Sequence, residues 1–344
     1  MTIVISPKVE LVITDVDTSV FNFATNKATR ISVLRDITIE RDSSFITTTV
    51  SKVSNTSNRV PSVINTGTGG TLLKFTTYLK PITDGANVSC AEKLLWESLS
   101  ATDVADSAVD SDVTFTSGNL NKLRELFFYF ILDDGSYYKV SRGVVNAVTI
   151  DIDIQGIATA QWEISAIDYL YSQTPTTGTY KDSTQQVYVR NKLSTIALQV
   201  TSPGPVVTTY DLALVEGNLE IRNKLVFTGR PRVGQLNVVD GHYVESRVAT
   251  FSCKCYLNTK AQGSSSLQSA LNLFSTFDEV NSLSNTTLSI GGANNDFRVD
   301  VQMPTSKIRL GAPTIGFINT IEVFLSPQES AVGAGDEIKL IYNN

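Results

Sequence analysis

Apolar and polar residues alternate with a period of two along much of the chain. In VTIDIDIQ, at residues 148–155, every second residue is Val or Ile, and Thr, Asp or Gln stands between them. Because successive side chains of a strand point to opposite faces, this pattern is typical of strands with one buried face. The same pattern predicts strands at residues 9–16, 37–41, 218–222, 251–257 and 321–325. The fold class is therefore predicted to be mainly β.

Helical periodicity is rare and occurs at two places. AEKLLWESL, at residues 91–99, carries Ala and Leu at helical spacing. Ser89 and Glu92 fit a capping box, in which two side chains satisfy the free N–H groups at the start of a helix. Ser265 and Gln268 have the same spacing ahead of a second predicted helix. The apolar face predicted for that helix consists of Leu267, Ala270, Leu271 and Phe274.

These helices belong to a pattern that occurs twice in the same order: a strand, a Tyr-Leu strand, a capped helix and a closing strand. The residues that define the repeat are Tyr78, Leu79, Ser89, Glu92 and Leu95, matched by Tyr256, Leu257, Ser265, Gln268 and Leu271. We predict a tandem duplication, with copy one at 1–172, a linker at 173–184 and copy two at 185–344. Each copy is expected to be a β-sandwich or barrel with one short α-helix.

Composition narrows this picture by exclusion. The 344 residues are 42% hydrophobic and 18% charged, which argues against a disordered chain. The formal net charge of −6 falls entirely in residues 1–172 and disfavours a protein that holds nucleic acid through phosphate contacts. The sparse cysteines, Cys90, Cys253 and Cys255, indicate a reducing compartment rather than a disulfide framework. We expect neither a secretory signal nor membrane insertion.

Candidate catalytic or metal-binding residues are few. His242, the only histidine, follows Asp240-Gly241, so we expect a solvated loop residue rather than a catalytic base. Cys253 and Cys255 share one face of a predicted strand. With His242 they supply three soft ligands, whereas a closed structural zinc site uses four. We therefore interpret the two cysteines as small buried residues.

The remaining polar motifs also lack the spacing of known sites. Gly67–Gly70 is followed by no Gly-Lys-Ser/Thr and is interpreted as a loop between strands. Asp103, Asp106, Asp110 and Asp112 miss the spacing of a calcium-binding loop and are interpreted as a polar loop after the helix. Asp151 and Asp153 form either a carboxylate pair or part of the solvated face of a sheet. No catalytic residue, cofactor or metal is assigned, and the chain is predicted not to be an enzyme.

The Tyr-Leu strands carry a resemblance to a known family. LLKFTTYLKP followed by AEKLLWESLS resembles the S-F-S-T-Y-L-x-P … L-L-W-x-A-L signature of tail tube proteins from long-tailed bacteriophages. The order of VTIDIDIQGIATAQWEISA, a linker, VYVRNKLSTIAL, CYLNT and a final strand resembles the duplicated tail tube proteins of T-five-type siphophages. The resemblance covers nearly the whole chain, although Asn258-Thr259 stands where the signature has proline.

This resemblance implies a virion structural protein. Such proteins form hexameric rings that stack into a hollow tube for genomic DNA, and a duplicated chain implies a homotrimer acting as a pseudo-hexamer. Implied partners are further copies of the chain, tape-measure protein and DNA in the lumen, tail initiator and terminator proteins, and in some tails a sheath. Alternatives are an inner tube component of a contractile injection or secretion system, a tube-like baseplate or head-proximal protein, and a carbohydrate-binding or adhesion β-sandwich.

A tube interior that lets DNA slide should be acidic or neutral, because Lys and Arg bind phosphate. The candidates for this lumen are Thr38, Glu40, Asp151, Asp153 and Glu220. The alternative is that they face outward or pair with Arg35, Arg41 or Arg222. The polar segments 53–70 and 100–119 are predicted loops that order between stacked rings.

Overall fold

A computed structural model describes most of the chain. The described residues are 9–34, 37–49, 61–115, 122–153, 156–173, 177–182, 188–201, 207–229, 239–257, 267–268, 270–276, 283–292, 297–331 and 333–343. Strands dominate these residues, which confirms the predicted mainly β fold class.

The strands are given in chain order, followed by the helices. They are β1 (Glu10–Thr14), β2 (Val20–Asn22), β3 (Thr29–Ile31), β4 (Thr38–Thr49), β5 (Pro61–Tyr78), β6 (Pro81–Asp84), β7 (Asn87–Cys90), β8 (Ala105–Asp106), β9 (Asp110–Thr114), β10 (Leu126–Ile131), β11 (Tyr137–Asp153), β12 (Thr159–Ala166), β13 (Asp168–Ser172), β14 (Thr177–Thr179), β15 (Lys181–Asp182), β16 (Thr195–Thr201), β17 (Val207–Leu212), β18 (Leu214–Gly229), β19 (Val239–Tyr256), β20 (Leu267–Gln268), β21 (Leu283–Ile290), β22 (Arg298–Leu310), β23 (Thr320–Pro327) and β24 (Lys339–Asn343). The helices are α1 (Phe23–Asn26), α2 (Lys93–Ser100) and α3 (Ala270–Thr276), and Asn191–Leu193 forms a 3₁₀ turn.

Eight strands form one continuous antiparallel layer, in which the same order of strands occurs twice. In the first half, β4 pairs with β5, β5 with β12, and β12 with β11. In the second half, β18 pairs with β19, β19 with β23, and β23 with β22. The halves join where β11 pairs with β18. The layer therefore runs β4-β5-β12-β11-β18-β19-β23-β22.

The two Tyr-Leu motifs occupy matching positions in this layer. Tyr78 lies opposite Thr159, and Tyr256 lies opposite Thr320. One residue further on, the N–H of Leu79 donates to the carbonyl oxygen of Ala158 at 3.0 Å, and the N–H of Leu257 donates to that of Asn319 at 2.9 Å. The hydrogen bond that closes the strand pair is therefore the same in both halves.

A second layer also follows one order in each half. The first half pairs β3 with β1, β1 with β10, β10 with the start of β11, and β11 with β13. The second half pairs β17 with β16, β16 with β21, β21 with β22, and the start of β22 with β24. The strands β11 and β22 each pass from one layer to the other, so both layers cover a common apolar interior.

One hydrophobic core runs through both halves. The rings of Trp96 and Trp162 meet edge to face with their centroids 4.9 Å apart, and both side chains are fully buried. The indole N–H of Trp96 donates to the hydroxyl of Tyr342 at 2.7 Å, and that of Trp162 donates to Thr77 Oγ1 at 2.9 Å. Because Tyr342 belongs to β24, which pairs with β9, the final strand of the second half is built into the first.

The predicted capping box of the first helix is wrong. Helix α2 begins at Lys93, and Glu92, the residue before it, makes no capping hydrogen bond with its side chain. Ser89 instead lies in β7, where it pairs with Ile82. The strand pairing of β6 with β7 continues past the predicted cap, and it buries both Ser89 and Glu92. The predicted apolar residue Leu95 is fully buried, as a core-facing helix requires.

The second predicted helix begins later and faces the core with other residues. Gln268 lies in β20, which pairs in parallel with β17, and helix α3 begins only at Ala270. Helix α3 buries Ala270 and Leu273, whereas Leu271 and Phe274 are 37% and 43% exposed. The predicted apolar face is therefore right for Ala270 and wrong for Leu271 and Phe274, and Leu267 lies in β20 rather than in the helix. Ser265 lies outside the described residues.

The connections between elements are more ordered than predicted. Asp133-Asp134-Gly135 forms the expected turn between β10 and β11, with Gly135 at a φ of 80°. In the predicted linker at 173–184, β14 and β15 pair in parallel with β2 and β3 of the first half. Gly67–Gly70 lies within β5 rather than in a loop. The described parts of the predicted loops 53–70 and 100–119 consist largely of β5, β8 and β9.

Candidate functional site

The eight-stranded layer buries one face in the core and turns the other outward. We call the outward side the polar face; its side chains are at least partly exposed. It comprises Thr38, Glu40, Lys74, Thr76, Thr149, Asp151, Asp153, Gln161, Glu163, Glu216, Asn218, Glu220, Arg222, Thr250, Ser252, Lys254, Lys307, Arg309, Glu322 and Phe324. The intervening residues, such as Ile150 and Leu219, are fully buried, as strand alternation requires.

All five candidate lumen residues lie on this polar face. Asp151 lies opposite Asn218, and Asp153 lies opposite Glu216, across the junction of β11 with β18. Glu220 lies opposite Thr149 on the same junction. Thr38 and Glu40 lie on β4, at one edge of the layer, and both are exposed. Strand pairing therefore brings together side chains that are far apart in sequence.

A network of charged side chains crosses the junction between the halves. Glu163 accepts from Arg222 Nη1 at 3.0 Å and from Asn146 Nδ2 at 3.0 Å, and Lys74 Nζ lies 3.5 Å away. Arg222 Nε also donates to Glu220, two residues away on the same strand β18, at 2.7 Å. Burial opposes ionisation of Glu163, but these hydrogen bonds prevail and lower its pKa.

Acidic residues concentrate beside this network. Asn218 Nδ2 donates to Asp151 Oδ1 at 2.5 Å, and Lys254 lies 3.5 Å from Glu216. These residues, with Asp153 and Glu322, line an open depression of about 380 Å³ on the polar face. Four carboxylates and one ammonium group therefore lie along one groove between the halves.

The charge of the polar face is unequal between the halves. The first half contributes four carboxylates, Glu40, Asp151, Asp153 and Glu163, and one cation, Lys74. The second half contributes three carboxylates, on Glu216, Glu220 and Glu322, and four cations, on Arg222, Lys254, Lys307 and Arg309. The negative potential of this face therefore comes from the first half, in line with the uneven charge of the sequence.

The structure corrects the prediction for His242. The residue lies in β19 rather than in a loop, and its side chain is only 4% exposed. Its Nε2 accepts a hydrogen bond from the N–H of Leu123 at 3.0 Å. Burial lowers the pKa of the imidazole, although Glu125 nearby acts in the opposite direction. His242 therefore joins the second half to the first as a neutral acceptor.

The other candidate groups have structural roles. Cys253 and Cys255 are buried with their sulfur atoms 3.7 Å apart, as small core residues. The aspartates of the predicted polar loop turn to separate partners: Asp103 to Arg124, Asp106 to Lys93, Asp110 to Ser107, and Asp112 to Lys339. Among the described residues, no three His, Cys, Asp or Glu side chains are grouped as metal ligands would be.

Two ionisable groups are buried in environments that the sequence analysis did not predict. Glu92 is 1% exposed, and neither carboxyl oxygen has a well-aligned hydrogen-bond partner among the described residues. Burial raises its pKa to about 8, against the pull of nearby backbone N–H groups and of Lys80. Arg247 donates to the carbonyl oxygens of Leu99 and Ser100 at the end of α2. No local pattern marks either residue, because both environments come from long-range pairing.

Two comparisons with known proteins were negative. Neither a scan against protein-family models nor a search of curated proteins finds a match to this chain. In the part of the chain that the structure describes, no helix has the length and apolar character needed to cross a membrane.

Proposed function

We propose that this chain is a tail tube subunit of a bacteriophage virion, in which three copies form a pseudo-hexameric ring and stacked rings conduct DNA. The observation that carries the proposal is the antiparallel pairing of β11 with β18. It joins two four-stranded sets of the same order edge to edge within one chain. We expect the junctions between chains to be formed in the same way as this junction within the chain, by antiparallel pairing of edge strands.

The outer edges of the layer suit such a junction. Among the described strands, β4 pairs only with β5, and β22 beyond Lys307 pairs only with β23. By strand order, β22 corresponds to β11 and β4 corresponds to β18. Open edges promote association of chains unless they are covered, and a closed ring covers all of them.

The arithmetic of closure supports a channel. Three chains supply 24 strands, and at about 4.8 Å per strand the ring has a backbone diameter of about 40 Å. The core-facing side of the layer is already filled by side chains of the second layer. The polar face is therefore the side that turns to the lumen. Its depression lined by Asp151, Asp153 and Glu216 repels phosphate, which suits DNA that must slide.

Negative-stain electron microscopy of concentrated recombinant protein tests the proposal. We expect rings or tubes with three-fold symmetry, and light scattering on the isolated rings should give the mass of three chains. Because tube subunits often need an initiator to begin assembly, the protein is also examined after addition of short preformed ring seeds. A protein that stays monomeric in both experiments contradicts the proposal and favours an adhesion or carbohydrate-binding sandwich.

A further inference from the structure

The turn between β22 and β23 presents the most exposed apolar side chains among the described residues. Ile315, Phe317 and Ile318 are 83%, 106% and 57% exposed. They follow one another closely at one end of the eight-stranded layer, next to its open edge. A cluster of large apolar residues this exposed marks an interaction surface rather than a solvated loop.

The corresponding turn of the first half is covered. It lies between β11 and β12, and the segment Tyr188–Asn191 of the second half packs along it. The N–H of Ala158 donates to the carbonyl oxygen of Val189 at 3.0 Å, and the N–H of Asn191 donates to that of Gly156 at 3.1 Å. Ile157 and Arg190 form a β-bridge, and Val189 is fully buried. The segment thus adds a short strand to this turn.

The covering segment Tyr188–Asn191 has a counterpart at the start of the chain. Val189 stands seven residues before Ile196 of β16, which pairs with Leu288 of β21. In the first half, Leu11 of β1 pairs with Phe130 of β10 in the same place of the fold, since the register irregularities at Leu126/Phe128 and Ser284/Thr286 coincide. All four of these paired residues are buried. Seven residues before Leu11 is Val4, an apolar residue like Val189. Residues 1–8 therefore correspond to the segment that covers the turn of the first half.

We propose that residues 1–8 of a second copy of this chain cover the turn Gly311–Asn319. This inference rests on the proposed function, because it extends the internal junction to the junction between chains. The segment MTIVISPK carries three consecutive apolar residues, Ile3, Val4 and Ile5, which match the apolar character of the turn.

A cross-linking experiment between two differently substituted chains tests the contact. Ser6→Cys and Ile318→Cys are made in separate full-length proteins, which are mixed under assembly conditions and treated with a short bis-maleimide. Cys90, Cys253 and Cys255 are buried and do not compete for the reagent. We expect a covalent dimer in the mixture and none in either protein alone. A mixture of S6C with Val109→Cys, at a site elsewhere that is even more exposed (73%) than Ile318, should give no dimer.

The outcomes separate this inference from the proposed function. Three-fold rings without the cross-link overturn the inference and leave the tube function standing. A third protein carries both substitutions in one chain. If the cross-link forms only within that chain and never between chains, the segment covers its own turn, and the inference is overturned. If neither rings nor cross-linked dimers form, both proposals fail.

A second variant tests the surface without added cysteines. Phe317→Ser with Ile318→Ser removes exposed apolar area, so the thermal stability of the monomer should not change. We expect the protein concentration needed for ring formation to rise about tenfold or more, since apolar burial at the contact is lost. Val109→Ser is the matched control, with unchanged assembly. Normal assembly of the double variant contradicts the proposed surface.

Discussion

Glu92 shows how burial changes the pKa of a single carboxyl group. Its sequence context resembles a helix cap, yet the β6–β7 hairpin places it in the core with no well-aligned partner among the described residues. An ionised carboxylate is costly there, so burial raises the pKa to about 8. Glu163, on the polar face, shows the reverse, because hydrogen bonds from Arg222 and Asn146 stabilise its ionised form.

The free energy of unfolding should therefore depend on pH through Glu92. A raised carboxyl pKa means that the folded chain keeps a proton which the unfolded chain loses above about 4.5, so stability falls as the pH rises from about 4.5 to about 8. Glu92→Gln removes this penalty. We expect it to stabilise the monomer at pH 8 by an amount on the order of 4 kcal/mol and to have little effect near pH 4.5. Urea unfolding at both pH values measures the difference.

Glu163→Gln is the matched control for that experiment, because its pKa is lowered rather than raised. Loss of the Glu163 carboxylate should destabilise the protein at pH values above the pKa of a glutamate in the unfolded chain. The destabilisation should fade as the solution is acidified. Equal effects of the two variants at pH 8 would show that Glu92 is not an uncompensated buried acid.

At the scale of elements, the end of α2 is bound to the β18–β19 hairpin of the other half. The Arg247 side chain is 5% exposed, lies 4.7 Å from the ring of Phe115 and donates to the last carbonyl groups of the helix. Asn223 of the same hairpin donates to Leu99. A cation at a helix C-terminus is favoured by the helix dipole. Burial lowers the pKa of Arg247 to about 10, so the group stays charged at neutral pH.

Removing the Arg247 guanidinium should weaken the connection between the halves. Arg247→Met keeps the apolar stem but leaves the carbonyl oxygens of Leu99 and Ser100 without this donor. We expect a loss of about 2–4 kcal/mol in the free energy of unfolding at pH 7. Lys224→Met, on the same hairpin, breaks only an exposed pair with Glu245 and should change stability by about 0.5 kcal/mol or less. Equal losses in both variants would refute the bridging role.

The β4–β5 hairpin continues beyond the layer. The pairing of β5 with β12 begins at Thr71, while β4 and β5 remain paired with each other as far as Thr49 and Pro61. This arm corresponds to the segment expected to order between stacked rings. The hairpin of β18 with β19 likewise continues past the pairing with β11, which ends at Arg222.

Deleting residues 54–68 should shorten the first arm, because it removes the β4–β5 pairings beyond Arg41 but leaves the pairing of β5 with β12 intact. We expect a folded chain with unchanged near-ultraviolet circular dichroism that forms monomers or single rings but no tubes. The length distribution of tubes in negative stain measures the effect. A matched variant keeps the same length by replacing 54–68 with a Gly/Ser sequence, and it should also fail to stack. Tubes of normal length from both variants would refute the role of the arm in stacking.

At the scale of the whole molecule, the uneven charge of the polar face has a consequence for the proposed tube. The first half supplies the net negative charge, whereas the second half is close to balanced. In a ring of three chains the potential around the lumen would therefore alternate with three-fold rather than six-fold symmetry. DNA inside such a ring would meet three acidic sectors, at the junctions of β11 with β18.

Charge reversal on those sectors tests the passage of DNA. Asp151→Lys with Asp153→Lys places two cations per chain where carboxylates stood, and each creates a phosphate contact. We expect assembled particles carrying the variant to eject DNA more slowly, with the delay shrinking at higher salt. Asp133→Lys with Asp134→Lys changes the net charge equally, but at a turn away from the polar face. Ejection at the normal rate in the Asp151 and Asp153 variant would exclude these residues from the lumen.

The sequence by itself determined, for several of the strands that it predicted, which residues face the core and which face outward. Side-chain alternation depends only on the local backbone, so the pattern at 148–153 predicted the buried and exposed residues at the end of β11, and the outward position of Asp151 and Asp153. Residues 154 and 155 lie outside the described residues. The Tyr-Leu motifs likewise marked matching strands. Which strands become neighbours depends on contacts between residues far apart in the chain, and no local pattern encodes them.

Only the tertiary structure decided the partners of these strands. It placed Ser89 in a hairpin instead of a cap, His242 in a strand with its side chain buried, and Leu271 on the surface. In each case β-pairing and burial outweigh weak local preferences for caps and helix faces. It also brought β11 against β18 and gathered Lys74, Glu163 and Arg222 into one network. The alternation of each strand was local, but the polar face that carries the proposed function exists only where eight strands meet.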